Sequence, residues 1–204
     1  MLKRDSALIL ASASKRRSEI LKSSGIPHLV VKSNARERRI IKGASLSGLV
    51  MKNSYLKASA VAKHRKGGLV LGADTLVIVG SKILGKPKSK KHAREMFHAL
   101  NGRECRVYTG LTLIDLESKK SIIDYAMTKA KMKKIKKNQI DKLLILLGPH
   151  DKAGGFSIEG VGSVLVERIN GCYFNILGLP MAKLYNMFEK IGLDIFDFIK
   201  TGRD

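Results

Sequence analysis

Acidic residues are scarce in this chain, so each one stands out. Its 204 residues hold 17 Asp and Glu against 39 Lys and Arg, a formal net charge of +22. A surplus of that size attracts polyanions, with nucleic acid and nucleotides as the obvious candidates. Aromatic residues are also few, at 5%, so no stacking platform interleaves with the basic clusters at Arg36 to Arg39, Lys86 to Lys91 and Lys129 to Lys137. Solvated faces are therefore favoured over a dedicated nucleic-acid groove. No apolar run approaches the length needed to span a bilayer, which points to a soluble protein with no membrane partner. Cysteine is limited to Cys105 and Cys172, without metal-type spacing, and this fits a reducing, cytoplasmic setting. The five histidines are scattered with no i, i+4 pair, and none is assigned to a metal. Lys3 and Arg4 before Ala7 to Ala13 loosely imitate a secretory signal. Lys15, Arg16 and Arg17 follow at once, so no such signal is expected.

What is present is organised around Ala7 to Leu21. Ala7 to Ala11 reads as a buried strand that breaks at Ser12, Ala13 and Ser14 into an amphipathic helix reaching about Ser24. Ser14 is placed to cap that helix, whose free N–H groups and dipole favour an anion. Arg16 and Arg17 lie in its first turn, where cations oppose the dipole. A strand-to-helix turn that accepts them suits phosphate, which matches the guanidinium fork. The plain alternative is an ordinary β–α turn with two solvated arginines.

Further along, Leu29 to Lys32 reads as a strand and Ser47 to Lys63 as a long helix carrying Lys57, a lysine of the kind that usually faces solvent. Glu37 is the only carboxylate between Glu19 and Asp74, and on its own terms it reads as a local salt bridge. Two apolar strand-like runs flank Asp74, where an acid is costly unless paired, hydrogen-bonded or bound to metal. Asp74 is therefore the strongest catalytic candidate, against a structural aspartate that bonds nearby backbone amides. Ser89 caps a helix that Asn101-Gly102 stops, and strands at Arg106 to Ile114 and Ser121 to Lys131 form a hairpin across Asp115 to Lys120. A helix at Asn138 to Leu147 and a strand at Val164 to Ile169 follow. The final helix begins at Gly178-Leu179-Pro180, with proline in the first turn and Met181, Leu184 and Met187 inward.

Taken together, Leu10 to Arg17, Gly72-Ala73-Asp74-Thr75, Gly85-Lys86-Pro87, Thr109-Gly110, Lys152 to Phe156 and Gly178-Leu179-Pro180 resemble the Maf family of nucleoside triphosphate pyrophosphatases, relatives of the inosine triphosphatase fold. The resemblance covers nearly the whole chain. It implies a single Maf-like domain over 1–204: an α/β fold with an elongated mixed β-sheet flanked by helices, in two lobes around a central cleft. It also implies hydrolysis of a nucleoside triphosphate between the α and β phosphates, giving a monophosphate and pyrophosphate with a divalent metal, Mg or Mn, in a house-cleaning or division-related role. A homodimer is what the family suggests.

Residue by residue, the resemblance assigns Ser12, Ser14, Arg16, Arg17, Lys57 and Lys86 to the triphosphate. Asp74 becomes the proton acceptor, Glu37 and Asp74 the metal ligands, and Arg16, Thr75 and Glu159 the positions tied to base specificity. The chain departs from the family pattern at four places. Lys15 stands for the usual proline, Cys105 for a common histidine, and Met127 for an acid before Thr128. Glu159 stands where the branch preferring dTTP and UTP carries glutamine, and an ionised glutamate accepts hydrogen bonds but cannot donate them. A modified nucleotide such as 7-methyl-GTP therefore competes with dTTP and UTP as substrate. The rival reading from another class is a non-catalytic basic protein that holds nucleic acid or a division partner.

Overall fold

The computed structural model describes residues 8–38, 45–147 and 158–200, apart from the Lys137 side chain. Seven strands form one sheet in the order β2-β1-β3-β5-β6-β7, with β4 paired to β3. Their limits are Leu8–Leu10 (β1), His28–Val30 (β2), Leu69–Val79 (β3), Lys82–Leu84 (β4), Glu104–Asp115 (β5), Ser121–Met132 (β6) and Val166–Asn170 (β7). The helices are Lys15–Ser23 (α1), Leu46–Ala62 (α2), Lys90–Leu100 (α3), Lys137–Leu146 (α4), Tyr173–Ile176 (α5) and Met181–Ile191 (α6). The sheet is mixed: β1 runs parallel to β2 and β3, while β4 and β7 pair antiparallel with β3 and β6. This is the α/β class, a mixed sheet with helices, that the sequence predicts.

The chain divides into two compact units, one of Met1–Asp74, Thr109–Ala126 and Gly178–Asp204, the other of Thr75–Tyr108 and Met127–Leu177. In the first, β1 is parallel to both neighbours and all three of its residues are buried. Strands enclosed in this way tolerate no polar alternation, hence the unbroken Leu8-Ile9-Leu10. Ile9, Ala11 and Val70 pack with Ala58 and Val61 of α2. This helix lies directly on the sheet. A side chain at Gly72 would collide with Ser54 O and Ala58, and one at Gly110 with the Val50 carbonyl. Two glycines in strands therefore set how closely α2 approaches. Ser45 caps α2 by accepting from Gly48 N–H at 3.0 Å.

In the second unit, Met96, Phe97 and Leu100 of α3 and Ile140 and Leu143 of α4 cover Val77, Val107, Ala130 and Met132 of the strands. The i, i+3, i+4 spacing of these helical residues makes that face continuous. Asn101 closes α3, its Nδ2 donating to Ile135 O at 3.0 Å and its Oδ1 accepting from Ile135 N–H at 2.9 Å. Asn175 on α5 donates to Val107 O at 3.0 Å and to Thr128 Oγ1 at 2.9 Å.

Several expectations need correction. The two runs around Asp74 are one strand, β3, of 11 residues. Gly72 and Asp74 interrupt its apolar pattern because α2 rests on the first and donates hydrogen bonds to the second. The strand expected at Val164 to Ile169 begins only at Val166, because Gly160–Leu165 winds into a 3₁₀ helix. Pro180 is the cap before α6 rather than a member of its first turn, and Met181 is half-buried while Phe188 and Ile191 join Leu184 and Met187 in the core. Neither α5 nor the 3₁₀ turn at Ile195–Phe198 was expected. The Lys152 to Phe156 block lies outside the described residues.

Candidate functional site

The turn between β1 and α1 builds the first part of the site. Ser12 is buried, and its Oγ accepts from Ser14 N–H at 3.3 Å and from Arg17 Nη1 at 2.9 Å. Ser14 does precede α1 as its cap residue, but its side chain makes no capping hydrogen bond. The expected role passes in part to Ser12, whose Oγ accepts the Ser14 amide. Arg16 is half-buried on the same turn of helix.

Arg17 is the most constrained of these cations. Only 8% exposed, it donates from Nε to Gly178 O at 2.8 Å and from Nη1 to Ala73 O at 2.9 Å. Burial lowers its pKa from the usual arginine value, with the charges of Asp74 and Glu37 opposing that fall. The side chain thus ties together three of the sequence blocks: the serine turn, the Ala73-Asp74 segment and the Gly178 turn. It is not the solvated arginine of the plain alternative.

Asp74 on β3 is 6% exposed, and both of its carboxylate oxygens are held from α2. Lys57 Nζ donates to Oδ1 at 2.7 Å and Asn53 Nδ2 to Oδ2 at 3.0 Å. Residues four apart share a helix face, so α2 presents both donors to one carboxylate. Lys57 is therefore not the solvent-facing lysine its sequence setting suggests. Its Nζ also meets Glu37 Oε1 at 2.8 Å and reaches Ala73 O at 3.4 Å. Glu37 does form a salt bridge, but with Lys57 rather than with the arginines beside it, and its side chain keeps 59% of its exposure. Asn53 is a further site residue that sequence reasoning missed. Its only trace there is a polar residue at i−4 from Lys57, and with Lys52 and Ser54 on either side it does not stand out.

Two carboxylates converging on one cationic atom make a hard, oxygen-only donor set. Mg²⁺ and Mn²⁺ suit such donors, binding one or two carboxylates and completing their shell with water and phosphate oxygens. Glu37 and Asp74 thus fit a divalent cation as ligands. Among the described residues no group of three or more His, Cys, Asp and Glu gathers into a metal site.

The other three predicted residues belong to the second unit. Thr75 follows Asp74 on β3 and is half-buried. Lys86 is exposed in the segment after β4, and Glu159 is exposed at the start of the 3₁₀ helix Gly160–Leu165.

Comparison with known proteins gives curated relatives along most of the chain. The dTTP/UTP pyrophosphatase of Clostridium botulinum (strain Kyoto / Type A2) is 44% identical over 191 residues, covering 92% of this chain and 98% of that protein. Proteins of the same name from Clostridioides difficile and Desulforamulus reducens are 41% and 39% identical, covering 90% and 92% of this chain and 94% and 98% of theirs. Among solved structures, a nucleoside-triphosphatase / dITP/XTP pyrophosphatase from Mycobacterium abscessus aligns with a TM-score of 0.39 and 14% identity, over 63% of this chain and 75% of that one, a likeness too low to bear on fold or activity. The family described as Maf-like protein matches residues 7–191, and with relatives this similar over nearly their whole lengths, the chain belongs to the Maf-like family.

Proposed function

We propose that this protein is a nucleoside triphosphate pyrophosphatase that hydrolyses the bond between the α and β phosphates of dTTP or UTP, releasing the monophosphate and pyrophosphate. The observation that carries the reading is Asp74, a buried carboxylate held on both oxygens by Lys57 and Asn53, in a family whose relatives carry that activity in their names. A carboxylate so oriented can take the proton of a water as the water attacks phosphorus, while the bridging oxygen departs with pyrophosphate. The catalytic demand is then charge stabilisation, since phosphoryl transfer spreads negative charge over the equatorial oxygens.

Arg16 and Lys57, with Ser12 and Ser14 at the helix entrance, supply cations and hydroxyls on the Asp74 side, and Lys86 adds a further cation to the triphosphate. Arg17 contributes by bracing the serine turn against Ala73 and Gly178. Glu37 and Asp74 would hold a divalent cation, Mg²⁺ or Mn²⁺, which when bound polarises phosphoryl oxygens and acidifies water. Arg16, Thr75 and Glu159 read the base. Glu159 can accept a hydrogen bond from a base N–H but cannot also donate to a carbonyl, so a modified nucleotide such as 7-methyl-GTP stands beside dTTP and UTP.

The chain acts as one domain, in line with the unbroken family match from residue 7 to 191. It works in the cytoplasm, and as a homodimer. No helix among the described residues is long and apolar enough to cross a membrane. The test is pyrophosphate release from dTTP, UTP, CTP, GTP and 7-methyl-GTP with Mg²⁺, wild type beside Asp74→Asn. Release that the substitution lowers by about 10²- to 10⁴-fold, the usual contribution of a general base, supports the proposal. Silence across the panel, with nucleic-acid binding that survives replacement of Arg16, would favour the non-catalytic reading.

A further inference from the structure

Asn53 engages both polar atoms of its side chain. It is 3% exposed, and its amide bonds in two directions. Toward β3 it donates to Asp74 Oδ2 at 3.0 Å. Toward the segment before α2 it accepts from Arg38 N–H at 2.8 Å through Oδ1 and donates to Arg38 O at 3.3 Å through Nδ2. A primary amide has two donors, and both are engaged. The residue next to Arg38 is Glu37, whose carboxylate meets the same Lys57 ammonium as Asp74, at 2.8 Å and 2.7 Å. One buried amide therefore fixes both the second carboxylate oxygen of Asp74 and the backbone that carries Glu37.

We infer that Asn53 is a positioning residue, which sets the two carboxylates of this site at one spacing so that they can share a single divalent cation. The inference rests on the proposed pyrophosphatase reading for its consequence in turnover, but the geometry stands without it. No other natural side chain of this size fills the role. Aspartate has the same shape and would still accept from the Arg38 amide, yet it donates to neither Asp74 nor Arg38 O and puts a third carboxylate in the cluster. Leucine matches the volume and offers no hydrogen bond at all.

The experiment compares wild type, Asn53→Leu and Asn53→Asp in two assays. Binding of Mn²⁺ to the nucleotide-free protein is followed by the loss of the free-ion electron paramagnetic resonance signal. Steady-state kinetics with dTTP and Mg²⁺ then separates kcat from KM. Residues that orient metal ligands typically contribute about 10- to 100-fold to affinity or activity. Asn53→Leu is expected to weaken Mn²⁺ binding by about tenfold or more and to lower kcat in that range while KM for dTTP stays within about threefold. Asn53→Asp, which keeps the fold-determining size, is expected to lower kcat likewise. Wild-type Mn²⁺ affinity and kcat in both variants, whatever happens to their melting temperatures, would overturn the inference and leave Asn53 as packing. A rise in KM with kcat retained would also overturn it. If wild type turns over no nucleotide, the pyrophosphatase reading fails, and the Mn²⁺ comparison still decides the role of Asn53.

Discussion

Lys57 serves two carboxylates and a carbonyl with one ammonium. Its side chain is only 14% exposed, so removing the charge would leave Asp74 buried without the cation that donates to its Oδ1. Breaking a buried pair from one side typically costs about 3–5 kcal/mol. Lys57→Met is expected to destabilise the protein to that order in urea unfolding, beyond its loss of activity. Asp74→Asn should lower stability less, because a neutral amide needs no counter-charge. Cys105 offers an independent check. Buried at 4% exposure, its thiol is pushed up to about 11 by desolvation. An acid whose pKa is raised by folding contributes stability that is present below the unfolded value, about 9, and lost as pH climbs toward the folded one. Between pH 7 and pH 10, wild type should therefore lose about 1 kcal/mol more than Cys105→Ala does, measured by urea unfolding at both values. At this scale the sequence was readable where a residue is chemically costly. Asp74 and Arg17 stood out for that reason, whereas Asn53 and Lys57 look ordinary on a helix until the strand opposite them is known.

The decisive element is α2, because it supplies both donors to Asp74 and packs on β3 and β5 at glycine distance. Ser54 Oγ and Thr112 Oγ1, 2.8 Å apart, pin the same interface. Gly110→Ala places a methyl against the Val50 carbonyl, where backbone rather than a flexible side-chain tip must yield. Overpacking of this kind costs about 1–3 kcal/mol, and here it also displaces the helix that carries Asn53 and Lys57. Thermal unfolding and kcat should therefore fall together in Gly110→Ala, whereas Gly67, exposed and with open space around it, should show no effect on kcat when replaced. The limits of α2 and α3 were legible to within a residue or two from apolar spacing and the Ser89 cap. Continuity of β3 was not, since a glycine needed for helix approach and an aspartate held by Lys57 and Asn53 both imitate a strand end. Nor was the 3₁₀ helix at Gly160–Leu165, because glycine density signals freedom without saying which conformation uses it.

Across the whole molecule the surplus of +22 remains after the ion pairs are drawn. The described pairs Arg94–Asp141 and Lys129–Glu104 are about half-exposed at both ends, and such contacts add little to stability. The charge should instead appear in solution behaviour. Binding to duplex DNA or heparin is expected at low salt and should weaken steeply between about 50 and 200 mM, as counterion release dictates. Filter binding across that range checks it, and affinity that held constant with salt would point to a specific groove. One further consequence comes from how Asn53 grips its neighbour. It recognises the N–H and C=O of Arg38, not the exposed guanidinium. Evolution is then free to redraw the side chain at position 38 without disturbing the placement of Glu37 and Asp74. Saturation mutagenesis there should return near-neutral fitness for every replacement except proline, which has no amide hydrogen to offer.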